Sequence, residues 1–109
     1  MPWLIRNGDV LATAEIVTDR RARRRGLLGR DSVDGALVLR PGKQVHTIGM
    51  KFAIDVAFVA KDGRVLRAST LPPWRVSRPV PKSAYVIEAA DGAFERWRLQ
   101  VDDVVEVRE

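Results

Sequence analysis

The stretch that most restricts the fold of this sequence is residues 54–70. Residues 54–60 form a short apolar run of strand length, Lys61-Asp62-Gly63-Arg64 follows, and residues 64–70 return as a second run. Asp-Gly accepts the positive φ values of a tight hairpin at little cost, so the stretch predicts an antiparallel strand pair. Other runs of the same kind surround it. Residues 10–17 alternate with period two, Gly35 to Arg40 reads as a buried strand ended by Pro41-Gly42, and Tyr85 to Ala89 and Val104 to Val107 supply two more. Residues 43–51 read as a loop or an irregular strand. Residues 71–83 hold Pro72, Pro73, Pro79 and Pro81, which removes ladder donors and makes this a long loop.

Helical signals are short. Thr18-Asp19 offers an N-cap to residues 19–28, with Ala22, Leu27 and Leu28 as a thin apolar side and Gly29 as the stop. Asp91 offers a cap to one turn carrying Phe94 and Trp97 at i, i+3. Many short strands with turn signals between them predict a mainly β fold, a small sandwich or partly open barrel with one or two short accessory helices. A ferredoxin-like α+β layout needs longer helices than these. At 109 residues the chain suits a single domain, 1–109, and 46% apolar residues suffice for one core.

Composition removes several chemistries. There is no cysteine, so disulfides, thiol nucleophiles and thiolate-bound zinc are excluded. No apolar run reaches signal-peptide or membrane-span length, which makes a soluble, cytoplasmic chain without a membrane partner the expectation. The net charge is +5. Its excess lies in the first half, chiefly in Arg20, Arg21, Arg23, Arg24 and Arg25, so this is a basic protein with one concentrated source of charge.

The central string is His46-Thr47-Ile48-Gly49-Met50-Lys51-Phe52-Ala53-Ile54-Asp55-Val56-Ala57-Phe58. Met50, Phe52, Ile54, Val56 and Phe58 share one parity and give a continuous apolar face. Asp55 sits on the other face among apolar neighbours, where a carboxylate needs a partner or hydrogen bonds. Gly49 interrupts the pattern and points to a bulge or a close backbone approach. This string resembles that of a widespread bacterial and archaeal family catalogued as domain of unknown function one hundred ninety-two. Arg25-Gly26-Leu27-Leu28-x-Arg30 is similar to the family's Arg-Gly-Leu-Met-x-Arg motif, with Leu28 in place of Met. Tyr85 to Ala89 followed by Asp91-Gly92 is similar to its Val-Leu-Glu strand and Gly turn, whereas Val101-Asp102-Asp103 departs from its usual Gly-Asp. The resemblance covers nearly the whole chain. It implies a compact β-rich fold and no particular activity.

The candidate catalytic residues are His46, the only histidine, with Asp55 and Glu88. A histidine beside a carboxylate supplies general-base chemistry, and two carboxylates meeting across a sheet supply an acid–base pair. The plainer reading makes His46 a hydrogen-bonded pin for its loop and pairs each carboxylate with an arginine such as Arg24 or Arg25. His46 could also serve as a single metal ligand, but one histidine and scattered carboxylates are a weak metal signature, and neither metal nor cofactor is expected. Trp74, in the proline-rich loop beside Arg75, reads either as a stacking platform or as an anchor of that loop.

Three functions follow. The preferred one is a non-catalytic binding or accessory module whose pocket lies beside His46, Thr47, Gly49 and Met50 and is walled by Trp74 and Arg75, taking a small polar or anionic ligand. The second is a small hydrolase or lyase using His46 with Asp55 or Glu88. The third is weak anion or nucleic-acid binding through the Arg20–Arg25 run, with Arg21, Arg24 and Arg25 as the anion-binding residues. The run lacks interleaved aromatics and is flanked by Asp19, Asp31 and Asp34, which disfavours nucleic acid and favours a solvated helix face. A monomer or weak dimer is expected.

Overall fold

The computed structural model describes residues 1–28 and 35–109. Seven strands and two short helices follow in the order β1 (Trp3–Arg6), β2 (Asp9–Val17), α1 (Arg20–Arg25), β3 (Ala36–Leu39), β4 (Ile54–Val59), β5 (Val65–Leu71), β6 (Tyr85–Ala90), α2 (Ala93–Trp97) and β7 (Val105–Arg108). They form one mixed sheet in the order β5-β4-β6-β3-β2-β1-β7. Only β2 and β3 run parallel, and the connection between them contains α1. That is the crossover a parallel pair requires.

The hairpin expected at residues 54–70 is present as β4–β5, with a register shift between Phe58 and Val59. Its turn also joins the two edges of the sheet. The Val105 amide donates to the Gly63 carbonyl at 2.8 Å and the Val65 amide to Asp103 at 2.8 Å, so β5 meets the start of β7. A Cβ on Gly63, whose φ is +94°, would stand 2.3 Å from the Val105 carbonyl oxygen. Glycine is therefore needed there for the approach of the other edge as well as for the turn. Among the described residues, the hydrogen bonds between the edges lie at this end, and the sheet does not close into a barrel.

Residues 1–9, for which no strand was expected, contribute β1 and a turn at Asn7 (φ +52°) and Gly8 (φ +82°). Two positive φ values in sequence are what an Asn-Gly hairpin turn supplies.

Every residue of β4 is buried, because both faces of the sheet are covered. The face around which the sheet curls carries Ala57, Val59, Val38, Ile87, Val65 and Val105, and Phe94 and Leu99 pack onto it from α2 and the residues after it. The other face carries Ile54, Val56, Phe58, Leu37, Leu39 and Val86 under Leu27, Val45 and Met50. The strand parity read from the sequence thus distinguishes two buried faces, where a single-sided strand would put one in water.

Both helices are set by other residues than expected at one end. Asp19 caps α1 by accepting from the Ala22 amide at 3.0 Å. The helix stops at Gly26, in the positive-φ region at +52°, earlier than the expected stop at Gly29, which lies outside the described residues. Asp91 does not cap α2. The N-cap is Gly92 with no side-chain bond of its own, and the carboxylate that serves this helix comes from Asp55.

Candidate ligand-binding cleft

The segment containing His46 is tied to the proline-rich loop by a short run of antiparallel backbone bonds. The Ser77 amide donates to Val45 at 2.9 Å, that of Thr47 to Arg75 at 2.8 Å, and that of Trp74 to Thr47 at 2.9 Å. Thr47 is the hub of this clasp. It is 0% exposed, its hydroxyl donates to the Pro72 carbonyl, and its Oγ1 accepts from the Arg75 amide at 2.9 Å. Thr47 through Met50 then makes a tight turn closed by the Met50 amide on the Thr47 carbonyl at 3.0 Å. Gly49 holds φ +86° in it, which explains the break in the apolar pattern. Met50 beyond the turn is buried in the second core face.

His46 has both ring nitrogens engaged. The Ile48 amide donates to Nδ1 at 3.2 Å, so Nδ1 bears no proton, and Nε2–H donates to the Arg24 carbonyl at 3.0 Å. The neutral ring thereby links this loop to α1, with no lone pair left over for a substrate proton or a metal.

The two carboxylates are split by register. Asp55 pairs with Ala89 and Val56 pairs with Glu88 across β4 and β6. Directly paired residues share a face, so Asp55 and Glu88 point to opposite faces and cannot act as an acid–base pair. Asp55 accepts from the Thr70 hydroxyl at 2.8 Å, from the Gly92 amide at 3.1 Å and from the Phe94 amide at 3.0 Å. The expectation of an arginine partner for Asp55 is corrected: its charge is met by a hydroxyl and the first amides of α2, a favourable place for a carboxylate. Glu88, 2% exposed, accepts from the Leu27 amide at 3.2 Å. A Cβ on Gly26 would stand 2.7 Å from Glu88 Oε1, so the end of α1 lies directly on this carboxylate.

A cleft of about 400 Å³ opens between α1, the Pro41–Ile48 segment and β6. Leu39, Val45 and Val86 give it an apolar floor, Glu88 lies deep in it, and Arg20, Arg24, His46, Ile48 and Val76 form its walls. Of the residues expected at a pocket, the structure brings His46 and Glu88 here with Arg24. Thr47, Gly49 and Met50 stand behind the wall, in the clasp, turn and core. Arg75 and Trp74 do not line the cleft. Trp74 is 65% exposed at φ +63°, which corrects the reading of it as a core anchor. Arg21 lines a separate depression with Asp19, Arg20 and Arg24, so those last two border both, and Arg25 lines neither. Asp55 borders a different cleft with Thr70, Asp91 and Glu95.

Three strings on which the family resemblance rests meet at the first cleft, through Gly26, His46 and Glu88. The family model DUF192, described as "Uncharacterized ACR", matches residues 4–107. The chain belongs to DUF192. A UPF0127 protein of Pyrococcus furiosus is 33% identical over 70 residues, which are 64% of this chain and 60% of that protein. One from Pyrococcus horikoshii is 32% identical over 69 residues, or 63% and 60% of the two chains. The match thus spans about 60% of the length of these curated relatives. A crystal structure of a protein of unknown function from Novosphingobium aromaticivorans superposes with a TM-score of 0.81 at 16% identity, covering 96% of this chain and 82% of its own. That likeness shows the fold alone and carries no activity with it.

Position 102 is where this DUF192 chain departs from the family's Gly-Asp. Asp102 holds φ +77°, a conformation that favours glycine, and Asp103 beside it bonds Arg6 at 3.0 Å. Among the described residues of this DUF192 chain, no three potential metal ligands converge, and no helix is long and apolar enough to cross a membrane.

The cleft walls that the sequence left unmarked are Ile48 and Val76, and Arg20 was marked only as part of the arginine run. Arg20 and Arg24 are four apart on the expected helix, so their common face was available as a signal. Nothing local marks Val76, which reaches the cleft through the backbone bridge to His46.

Proposed function

We propose that this chain is a non-catalytic binding module whose ligand is a small molecule held in the cleft beside His46. The observation that carries the reading is the cleft itself: about 400 Å³, floored by Leu39, Val45 and Val86 and walled by a few polar side chains, among them His46 and Arg24. That combination of size and lining is characteristic of small-ligand sites. The placement of His46 supports binding over chemistry. Its two nitrogens are committed to Ile48 and Arg24, and Asp55 lies on the far face of the sheet. In this reading the chain works in the cytoplasm as a monomer or weak dimer, with neither cofactor nor membrane.

Amide-resolved NMR with a panel of small carboxylates, phosphates, sugars and nucleosides tests it. At least one compound is expected to shift Gly42, Val45, His46 and Glu88 together while leaving Gly92 and Phe94 unmoved. A panel that moves none of the four, or that moves the Asp55 side instead, overturns the proposal.

A further inference from the structure

Among the described residues, the four Arg and Lys side chains around the cleft are not equivalent. Arg23 is held by the carbonyls of Thr18 and Pro41, at 3.1 and 3.0 Å. Lys43 is held by the carbonyls of Pro81 and Ser83, at 2.6 and 3.0 Å. Those two side chains act as struts that fix α1 and the 43–47 segment to their surroundings. Arg20 and Arg24 also line the cleft, and among the described residues their guanidiniums make no hydrogen bond or ion pair. They stand one helical turn apart on the same side of α1, a like-charged pair at i, i+4 that costs the helix stability as it stands. α1 has no acidic residue in its first turn to offset them.

The interior of the cleft has the opposite character. Leu39, Val45 and Val86 are buried apolar side chains, and Ile48 and Val76 at the lip are among the exposed large hydrophobics. Glu88 lies at depth, where it accepts from the Leu27 amide. The exposed arginines and the apolar floor therefore fix an orientation: an anionic group fits at the rim, against α1, and an uncharged apolar body fits below it.

We propose that the ligand is a small organic oxyanion, a carboxylate or phosphate ester with an apolar body, whose charged end lies between Arg20 and Arg24. This rests on the small-ligand reading above and narrows it to one chemical class. Guanidinium groups match such oxyanions through paired N–H donors, and the bound charge relieves the repulsion between the two arginines. Because both arginines are exposed, the attraction is screened by salt, and affinity falls as ionic strength rises.

The test measures binding of phenyl phosphate and benzoate by amide-resolved NMR titration, with benzyl alcohol as the neutral analogue and inorganic phosphate as the bare anion. At least one of the two aromatic anions is expected to shift the cleft amides and to bind about tenfold or more tighter than either control, the scale of one charge-assisted hydrogen bond. The double variant Arg20→Gln/Arg24→Gln is expected to lose that advantage, with the unbound spectrum otherwise retained. Conversion to Lys at both positions is expected to restore part of it. If benzyl alcohol binds the cleft as well as the anions do, and the double variant binds all three unchanged, the anion class is overturned while the cleft reading stands. If inorganic phosphate binds as tightly as the aromatic anions, the arginines are a nonspecific anion patch and the proposal is overturned. If none of the compounds moves the cleft amides, this narrower proposal fails, and the cleft reading is then judged on the wider panel.

Discussion

Asp55 and Glu88 are buried carboxylates on neighbouring strands, 3% and 2% exposed, yet they belong to different parts of the molecule. Asp55 lies on the face around which the sheet curls and spends its oxygens on Thr70 and on the first amides of α2. Glu88 lies on the other face, under Gly26 and at depth in a cleft rimmed by arginines. A buried charge therefore does not identify a site. The partners that make its burial tolerable decide its role: Asp55 joins a helix to a sheet, and Glu88 helps to shape a recess.

The largest expected effect tests the structural half of this contrast. Asp55→Ala strands two backbone amides of α2 and the Thr70 hydroxyl, and is expected to cost about 3 kcal/mol or more in urea unfolding, without a specific effect at the first cleft. A loss below about 1 kcal/mol would mean that α2 is held by Phe94 packing alone. Next comes Gly26→Ala. It adds a Cβ 2.7 Å from Glu88 Oε1 on a residue at φ +52°. A cost of about 2–3 kcal/mol is expected, combining backbone strain with overpacking. Gly8→Ala is the control, since Gly8 has φ +82° but nothing within 4 Å of the added atom. Its cost is expected near 1 kcal/mol, the backbone part alone. Equal losses at the two glycines would remove the contact with Glu88 from the account.

Smaller effects separate binding from stability. Arg20→Gln/Arg24→Gln is expected to leave unfolding within about 0.5 kcal/mol of the parent, because exposed like charges contribute little. The same variant is expected to bind phenyl phosphate and benzoate more weakly, so a change in affinity without a change in stability marks these arginines as ligand-facing. Tyr85 probes the Asp55 side of the core. Burial raises its phenol above the ordinary 10.0, partly opposed by Arg40, whose guanidinium stands 5.3 Å from the ring centroid. A raised acid favours folding while it stays protonated. The contribution is fully present below pH 10 and is lost as pH climbs from there through the folded value. Tyr85→Phe is expected to flatten that alkaline decline in a pH series of unfolding curves.

Local chemistry made the strands legible. Period-two alternation and the Asp62-Gly63 turn indicate β4 and β5, and the same kind of pattern indicates β2, β3, β6 and β7 within a residue or two at each end. Asn7-Gly8 carries an equally local signal for β1, obscured by its place at the terminus. The contacts that define the candidate site are of another kind. Parity says that Asp55 and Glu88 each have apolar neighbours, but only the β4–β6 register says that they face apart. The cap of α2 comes from a strand nearly forty positions earlier, so Asp91, adjacent to the helix, was the natural but incorrect choice. Gly26 shows the same limit. The expected helix runs through it to Gly29, whereas its positive φ and its place against a carboxylate from β6 are set by the tertiary fold.

The contrast between the two faces can be read in one titration. With phenyl phosphate or benzoate added to the parent chain, amide shifts are expected at Gly42, Val45, His46 and Glu88, while Asp55, Thr70, Gly92 and Phe94 stay in place. Shifts centred on the Asp55 group, with the His46 cleft unmoved, would contradict the account.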